Sequence, residues 1–129
     1  MLNKFSSNEP YVPAEDTFFL EDNLAKEKGD LALDIGTGSG YLTRILSKNF
    51  SQVFATDIDY NSIINQTKKF ENCICCDGAD PLICKFDLII CNMPYLQSEK
   101  ILDRKVDGGK EGVEMPLRIL KSAKKCLKD

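Results

Sequence analysis

Short apolar runs alternate with stretches of helical spacing along most of this chain. Leu31 to Ile35, Gln52 to Thr56, Asn72 to Cys76 and Phe86 to Cys91 are too short for helices and are bounded by turn residues, so they read as four strands. Between them, Tyr41 to Lys48 brings Leu42, Ile45 and Leu46 to one helical face, and Asn61 to Phe70 repeats that spacing. Upstream, a helix from Glu15 to Lys28, entered at Pro13 to Asp16 and punctuated by Gly29, is predicted to set Phe18, Phe19 and Leu24 against the core. A last helix is predicted from about Glu111 to Leu127, after a polar loop through Asp107-Gly108-Gly109. Met1 to Pro13, polar and broken by Pro10 and Pro13, reads as an extended arm.

Strands joined through helices must lie parallel, with both faces of the sheet covered. Right-handed crossovers and a reversal after the first strand give the order 3-2-1-4. The predicted fold is therefore α/β, a doubly wound Rossmann-like sheet in a single domain spanning residues 1–129, with ligands beyond the C-terminal ends of its strands. Leu88 to Cys91 would then be a bare apolar edge, which soluble proteins avoid, so the chain is expected to be either a fragment lacking C-terminal strands or a drastically reduced domain.

The chemistry-bearing residues fall on that C-terminal rim. After the first strand comes Asp34-Ile35-Gly36-Thr37-Gly38-Ser39-Gly40, whose glycines Gly36, Gly38 and Gly40 permit a tight turn and a close backbone approach to a ligand. A dinucleotide loop spaces its glycines G-x-G-x-x-G to seat a pyrophosphate, which Asp34 here would repel. The same carboxylate suits a ligand carrying an ammonium and a sulfonium, and S-adenosylmethionine carries both. Asp57, ending the second strand, is placed to accept from a ribose diol, while Asp59 suits a helix cap. Asp77 could accept from an adenine amino group, with the Gly78 N–H offered to a ring nitrogen; an Asx turn before Pro81 is the alternative for Asp77.

The fourth strand delivers Asn92-Met93-Pro94-Tyr95, a carboxamide, a backbone kink and an aromatic that together can clamp a planar nitrogen. The Asn92 side-chain oxygen and the Met93 carbonyl can accept the two N–H bonds of an amide and turn its lone pair toward a methyl donor, with Tyr95 walling the site. The expected catalytic residues are thus Asn92, Met93, Pro94 and Tyr95. An N-x-P-Y segment after a strand can also be a plain turn.

Composition narrows the chemistry. The chain has no histidine, which excludes Ser-His-Asp triads, Cys-His dyads and imidazole metal sites. Seventeen basic against twenty acidic residues give a net charge of −3, so no direct nucleic-acid binding is expected; the basic run Arg118, Lys121, Lys124, Lys125 and Lys128 reads as a solvated helix face. Six cysteines lie in or beside apolar runs and read as reduced core thiols of a cytoplasmic protein without a membrane span, and the Cys73/Cys76 pair lacks the second ligand pair that a metal needs. No metal site is expected.

Tyr11-Val12-Pro13-Ala14-Glu15-Asp16-Thr17-Phe18, the loop from Asp34 to Gly40, Thr56-Asp57-Ile58, Phe86 to Tyr95 and Asp107 to Gly112 together resemble a class I S-adenosylmethionine-dependent methyltransferase, specifically the HemK-like release-factor glutamine methyltransferases of the eukaryotic and archaeal branch. The resemblance runs from Tyr11 to about Leu127, and the Pro-Ala-Glu-Asp-Thr entry is its most discriminating part. It implies that Thr17, Asp34, Gly36, Asp57, Asp77, Gly78 and Asn92 contact the cofactor or its reacting end, with S-adenosylhomocysteine as product. It implies as substrate the glutamine amide of the Gly-Gly-Gln motif of a class-1 translation release factor. Adenine amino groups of DNA or RNA, and a cofactor-binding subunit without catalysis, are the other readings. Met93 stands where the family has proline, which preserves the carbonyl and loosens the clamp. The resemblance also implies a heterodimer with a small zinc-binding activator protein. Its natural docking place is the apolar, uncharged edge Cys73-Ile74-Cys75-Cys76.

Overall fold

The computed structural model describes residues 15–91 and 114–129, with the side chains of 15–17 and 114–116 left undescribed. Its elements are α1 (Glu15–Leu24), β1 (Gly29–Ile35), α2 (Tyr41–Leu46), β2 (Phe50–Asp57), α3 (Tyr60–Gln66), β3 (Cys73–Cys75), β4 (Leu88–Cys91) and α4 (Glu114–Lys124). The sheet is all parallel in the order β3-β2-β1-β4. This is the predicted α/β topology, and it places β1 between β2 and β4.

Strand alternation divides the core in two. Ala32, Val53 and Ile90 turn to one face, where Leu24 of α1 and Leu42, Ile45 and Leu46 of α2 cover them. Leu33, Ile35 and Phe86 turn to the other, under Ile119 of α4 and Cys126. In β1, Ala32 and Leu33 are both fully buried, as a strand between two covered faces requires.

Three expectations are corrected. Phe18 and Phe19 are exposed, and α1 presents Leu20 and Leu24 to the core instead. Apolar residues at three consecutive positions cannot share one helical stripe, whereas Leu20 and Leu24, four apart, can. Gly29 does not close the helix: α1 ends at Leu24, and Gly29 opens β1 opposite Phe50. Nor does the last helix reach Leu127. The chain leaves α4 so that Leu127 forms a parallel bridge with Phe86, whose N–H donates to the Cys126 carbonyl at 2.7 Å and whose carbonyl accepts from Lys128 N at 3.0 Å. The outer side of β4 is therefore met at its foot by the C-terminal residues. Asp87 strengthens the junction, accepting from Asp30 N and Leu31 N at 3.0 and 2.9 Å and pairing with Lys128 Nζ at 2.8 Å. The Lys128 ammonium, aided by those backbone donors, pulls the Asp87 carboxyl down to about 2.

All six cysteines are free thiols, but only Cys126 is fully buried and Cys75 is exposed, so the core-thiol reading holds for Cys126 and fails for Cys75. The three-residue β3 cannot bury both of its faces. No helix among the described residues is long and apolar enough to cross a membrane.

Candidate functional site

The strand order dictates where the site lies. β1 ends at Ile35 beside Thr56 of β2 and Cys91 of β4, so the loops that follow these three strands open onto one rim. There the chain turns sharply, with Gly36 N and Thr37 N both donating to the Thr56 carbonyl at 2.8 and 3.0 Å. Gly38 and Gly40 adopt φ of +54° and +79°, a backbone region that glycine enters at little cost. At Gly40 space is short as well: a Cβ would stand 2.1 Å from Gln66 Oε1.

Two carboxylates organise the loop. Asp57 ends β2 and accepts from Gly38 N through Oδ2 and from Asp59 N through Oδ1, both at 2.9 Å. Both oxygens thus tie the end of β2 to the glycine loop and to the start of α3 at this rim. Asp59 accepts from Ser62 N at 2.9 Å and Ser62 Oγ at 2.7 Å and so caps α3. Asp59 serves the helix as expected from sequence, while Asp57 is bonded to the glycine loop and to the start of α3.

Asp34 is 1% exposed. Thr43 Oγ1 of α2 donates to its Oδ2 at 2.7 Å, and that hydroxyl lies 2.9 Å from Thr37 Oγ1. Thr43 has a single proton and spends it on the ionised carboxylate, so Thr37 donates to Thr43. The other carboxylate oxygen, Oδ1, is buried without a hydrogen-bond partner among the described residues. Burial pushes the Asp34 carboxyl up to about 6, against the pull of Thr43 and Thr37. A buried carboxylate with one oxygen unmet is completed by a cationic donor. An ammonium-bearing ligand such as S-adenosylmethionine fits this requirement. Cys91 joins the same rim, where burial, with Asp34 and Asp57 nearby, pushes its thiol up to about 12 and keeps it unreactive.

Asp77 and Gly78 follow β3. Asp77 is half-exposed and pairs with Arg118 of α4 at 3.0 Å, and its backbone carbonyl, not its carboxylate, accepts from Asp80 N. The alternative Asx turn is thus not formed, and an adenine amino group would share the carboxylate with Arg118. Gly78, at φ +60°, offers its carbonyl to Thr56 Oγ1 at 2.8 Å, which fixes this loop against β2. Of the predicted residues, the structure therefore gathers Asp34, Gly36, Gly38, Gly40 and Asp57, and places Asp77 and Gly78 on the adjoining loop. Asn92, Met93, Pro94 and Tyr95 lie outside the described residues, as does the side chain of Thr17. Cys91, one residue before Asn92, is already at the rim.

Sequence reasoning missed Thr37, Thr43 and Gln66. The last is 2% exposed and donates through Nε2 to the Gly38 carbonyl at 2.9 Å. Polar residues at core-facing helical positions were the available signal.

Residues 33–103 match the profile described as Methyltransferase domain. Over 120 residues the chain is 32% identical to a protein of Methanocaldococcus jannaschii named as a candidate protein N5-glutamine methyltransferase, covering 83% of this chain and 61% of that one. Over 98 residues it is 35% identical to a protein of Methanococcus maripaludis named as a candidate cobalt-precorrin-6B C(15)-methyltransferase, covering 71% and 46%. The chain thus spans roughly half to three fifths of the length of these relatives. Among solved structures, the E. cuniculi Mtq2-Trm112 complex, described as responsible for methylation of the translation termination factor eRF1, superimposes with a TM-score of 0.76 at 27% identity, over 87% of this chain and 67% of that one. A ribosomal protein L11 methylase from Lactobacillus delbrueckii subsp. bulgaricus shares the fold, with a TM-score of 0.65 at 21% identity over 93% of this chain and 58% of that one.

Proposed function

The chain belongs to the methyltransferase domain family, and from that premise we propose that it binds S-adenosylmethionine and methylates the side-chain amide of a glutamine, that of the Gly-Gly-Gln motif of a class-1 translation release factor. The observation that carries the cofactor half is the buried Oδ1 of Asp34, without a partner among the described residues, at the start of a tightly turned glycine loop. The substrate half is supported by the likeness to the E. cuniculi complex and to the M. jannaschii protein. When bound, S-adenosylmethionine supplies a methyl group on a cationic sulfur, together with an ammonium and a ribose diol.

Around such a ligand the residues divide the work. Asp34, held through Thr43, meets the ammonium, and Asp57 meets the diol while keeping Gly38 in place. The Asn92 carboxamide and the Met93 carbonyl would hold the acceptor amide with its lone pair turned toward the methyl, and the proton that the amide nitrogen gives up as the N–C bond forms and the S–C bond breaks would pass to solvent. No strong base is required for that sequence. Radiolabelled transfer with release factor, histone and DNA offered in parallel tests the proposal. Label should appear on the release factor and vanish in Asn92→Ala, whose cofactor affinity stays within about a few fold because the carboxamide acts mainly in the transition state. Label on DNA alone would transfer the assignment to adenine nitrogen.

Affinity should also report Asp34 directly. Burial raises this carboxyl above its unfolded value, so its ionisation costs the free protein stability that is fully retained below about pH 4 and lost as pH rises to about 6. An ammonium ligand recovers the cost by pairing with the ionised form. Calorimetry from pH 5 to 7 should therefore find S-adenosylmethionine binding tightening by up to about tenfold per unit below pH 6 and levelling above it. In Asp34→Asn binding should be weak and flat over this range; a slope that persists in that variant would remove Asp34 from the ammonium site.

The partner implied for this fold is a small zinc-binding protein added as a strand along β3. In support, β3 is the sheet's outer strand, three residues long, with Cys73 and Ile74 half-buried and Cys75 exposed. Co-expression with such a protein and recovery of a one-to-one complex would bear this out. A monomer that methylates at full rate without it would exclude an obligate partner.

A further inference from the structure

The cofactor loop is held from below by a residue to which nothing so far gives a role. Gly38, the middle glycine, donates its N–H to Asp57 Oδ2, and its carbonyl accepts from Gln66 Nε2, each at 2.9 Å. The two peptide units that flank Gly38 are thereby each anchored, the one before it by Asp57 of β2 and the one after it by Gln66 of α3. Gln66 is 2% exposed, and its Oε1 is buried without a partner among the described residues. A purely structural glutamine at a buried helical position would ordinarily satisfy both ends of its amide or give way to an apolar residue of the same length. This one leaves its acceptor unmet while keeping its donor on the loop. The contact also fits the absence of a side chain at Gly40, whose Cβ would stand 2.1 Å from Gln66 Oε1 and 2.7 Å from its Cδ.

We propose that Gln66 is a positioning residue for the cofactor loop: it aims the Gly38 peptide and, through Gly38 N–H, holds the Asp57 carboxylate in the orientation that receives the ligand. The inference rests on the cofactor reading above and adds to it a determinant that does not touch the ligand. Loss of the donor frees the Gly38 carbonyl, lets the peptide rotate and weakens ligand binding without altering the chemistry at the rim.

Gln66→Met keeps the length and volume of the side chain and removes both polar ends. In the full chain it should lower the melting temperature only modestly, because the cost of the unpaired Gly38 carbonyl is partly offset by removal of the unmet Gln66 Oε1. It should raise the Kd and KM for S-adenosylmethionine by roughly tenfold, with kcat nearly unchanged, as supporting contacts of a site do. Exchange of the Gly38 amide proton, followed by NMR without ligand, should accelerate about as much. An unchanged Gly38 exchange rate, or a loss of affinity that merely tracks a loss of melting temperature, overturns the proposal. If the parent protein binds no S-adenosylmethionine, the functional reading fails, and ligand-free exchange at Gly38 alone decides for or against Gln66. If Gln66→Met does not fold, the parent's Gln66 side-chain amide decides: slow solvent exchange upholds the contact, and fast exchange refutes it.

Discussion

Asp57→Ala should lose about 30-fold or more in S-adenosylmethionine affinity, the effect of removing one partner from a buried, hydrogen-bonded charged site. The same change leaves Gly38 N–H and Asp59 N–H without their acceptor, at about 1–3 kcal/mol of stability for each group that water does not reach. Asp57→Asn separates the two roles. It keeps the shape and one carbonyl oxygen but turns an NH2 toward a backbone donor, so it should fall between the parent and alanine in both affinity and denaturation midpoint. Calorimetry paired with urea unfolding measures the two losses. An Asp57→Ala protein that binds the cofactor within twofold of the parent would show that the carboxylate serves the loop alone.

Phe86→Ala should be the most destabilising single change, at about 3–5 kcal/mol, the range for truncating a fully buried aromatic. The ring is 0% exposed, stands edge-on to Phe54 with centroids 5.5 Å apart, and shares its cluster with Leu33, Ile119 and Cys126. Because small domains have about 5–15 kcal/mol in total, the variant should be partly unfolded near physiological temperature. Its backbone carries the bridge to the C-terminal residues, so hydrogen exchange at Lys128 N should accelerate more than exchange at Ala55 N in the middle of the sheet. A urea midpoint shift worth less than about 1 kcal/mol would mean that the cavity closes by local collapse.

What could be foreseen from the sequence and what could not follows from the range of the interactions. Strand order, the glycine loop and the capping role of Asp59 were legible because each is written in neighbouring residues: a periodicity, a turn composition, an acid just before a helix. The partner of Asp77 was not legible. Arg118 lies far along the chain, and in a basic run of even spacing nothing marks it off from Lys121 or Lys124. Gln66 and Thr43 were missed for a related reason. A polar residue on a helix face that turns inward looks, in sequence, like an interruption of the apolar stripe, and only the approach of the loop gives it a partner. The C-terminal bridge escaped because a single paired residue has no period, and Leu127 was absorbed into the helix before it. The exposed phenylalanines of α1 show the opposite failure. Their apolarity invited burial that the geometry of consecutive helical positions could not grant.

The parallel sense of the Phe86–Leu127 bridge fixes a direction as well as a contact. From Cys126 onward the backbone climbs alongside β4 toward the rim that carries Asp34, Asp57 and Cys91, not toward the opposite end of the sheet where β1 begins. Leu127 is level with Phe86, and Cys91 is five residues further up, roughly 17 Å at the rise of a strand. Asp129 has already covered two of those steps. The bridge therefore turns the residues after α4 toward the rim of Asp34, Asp57 and Cys91 and away from the end of the sheet where β1 begins.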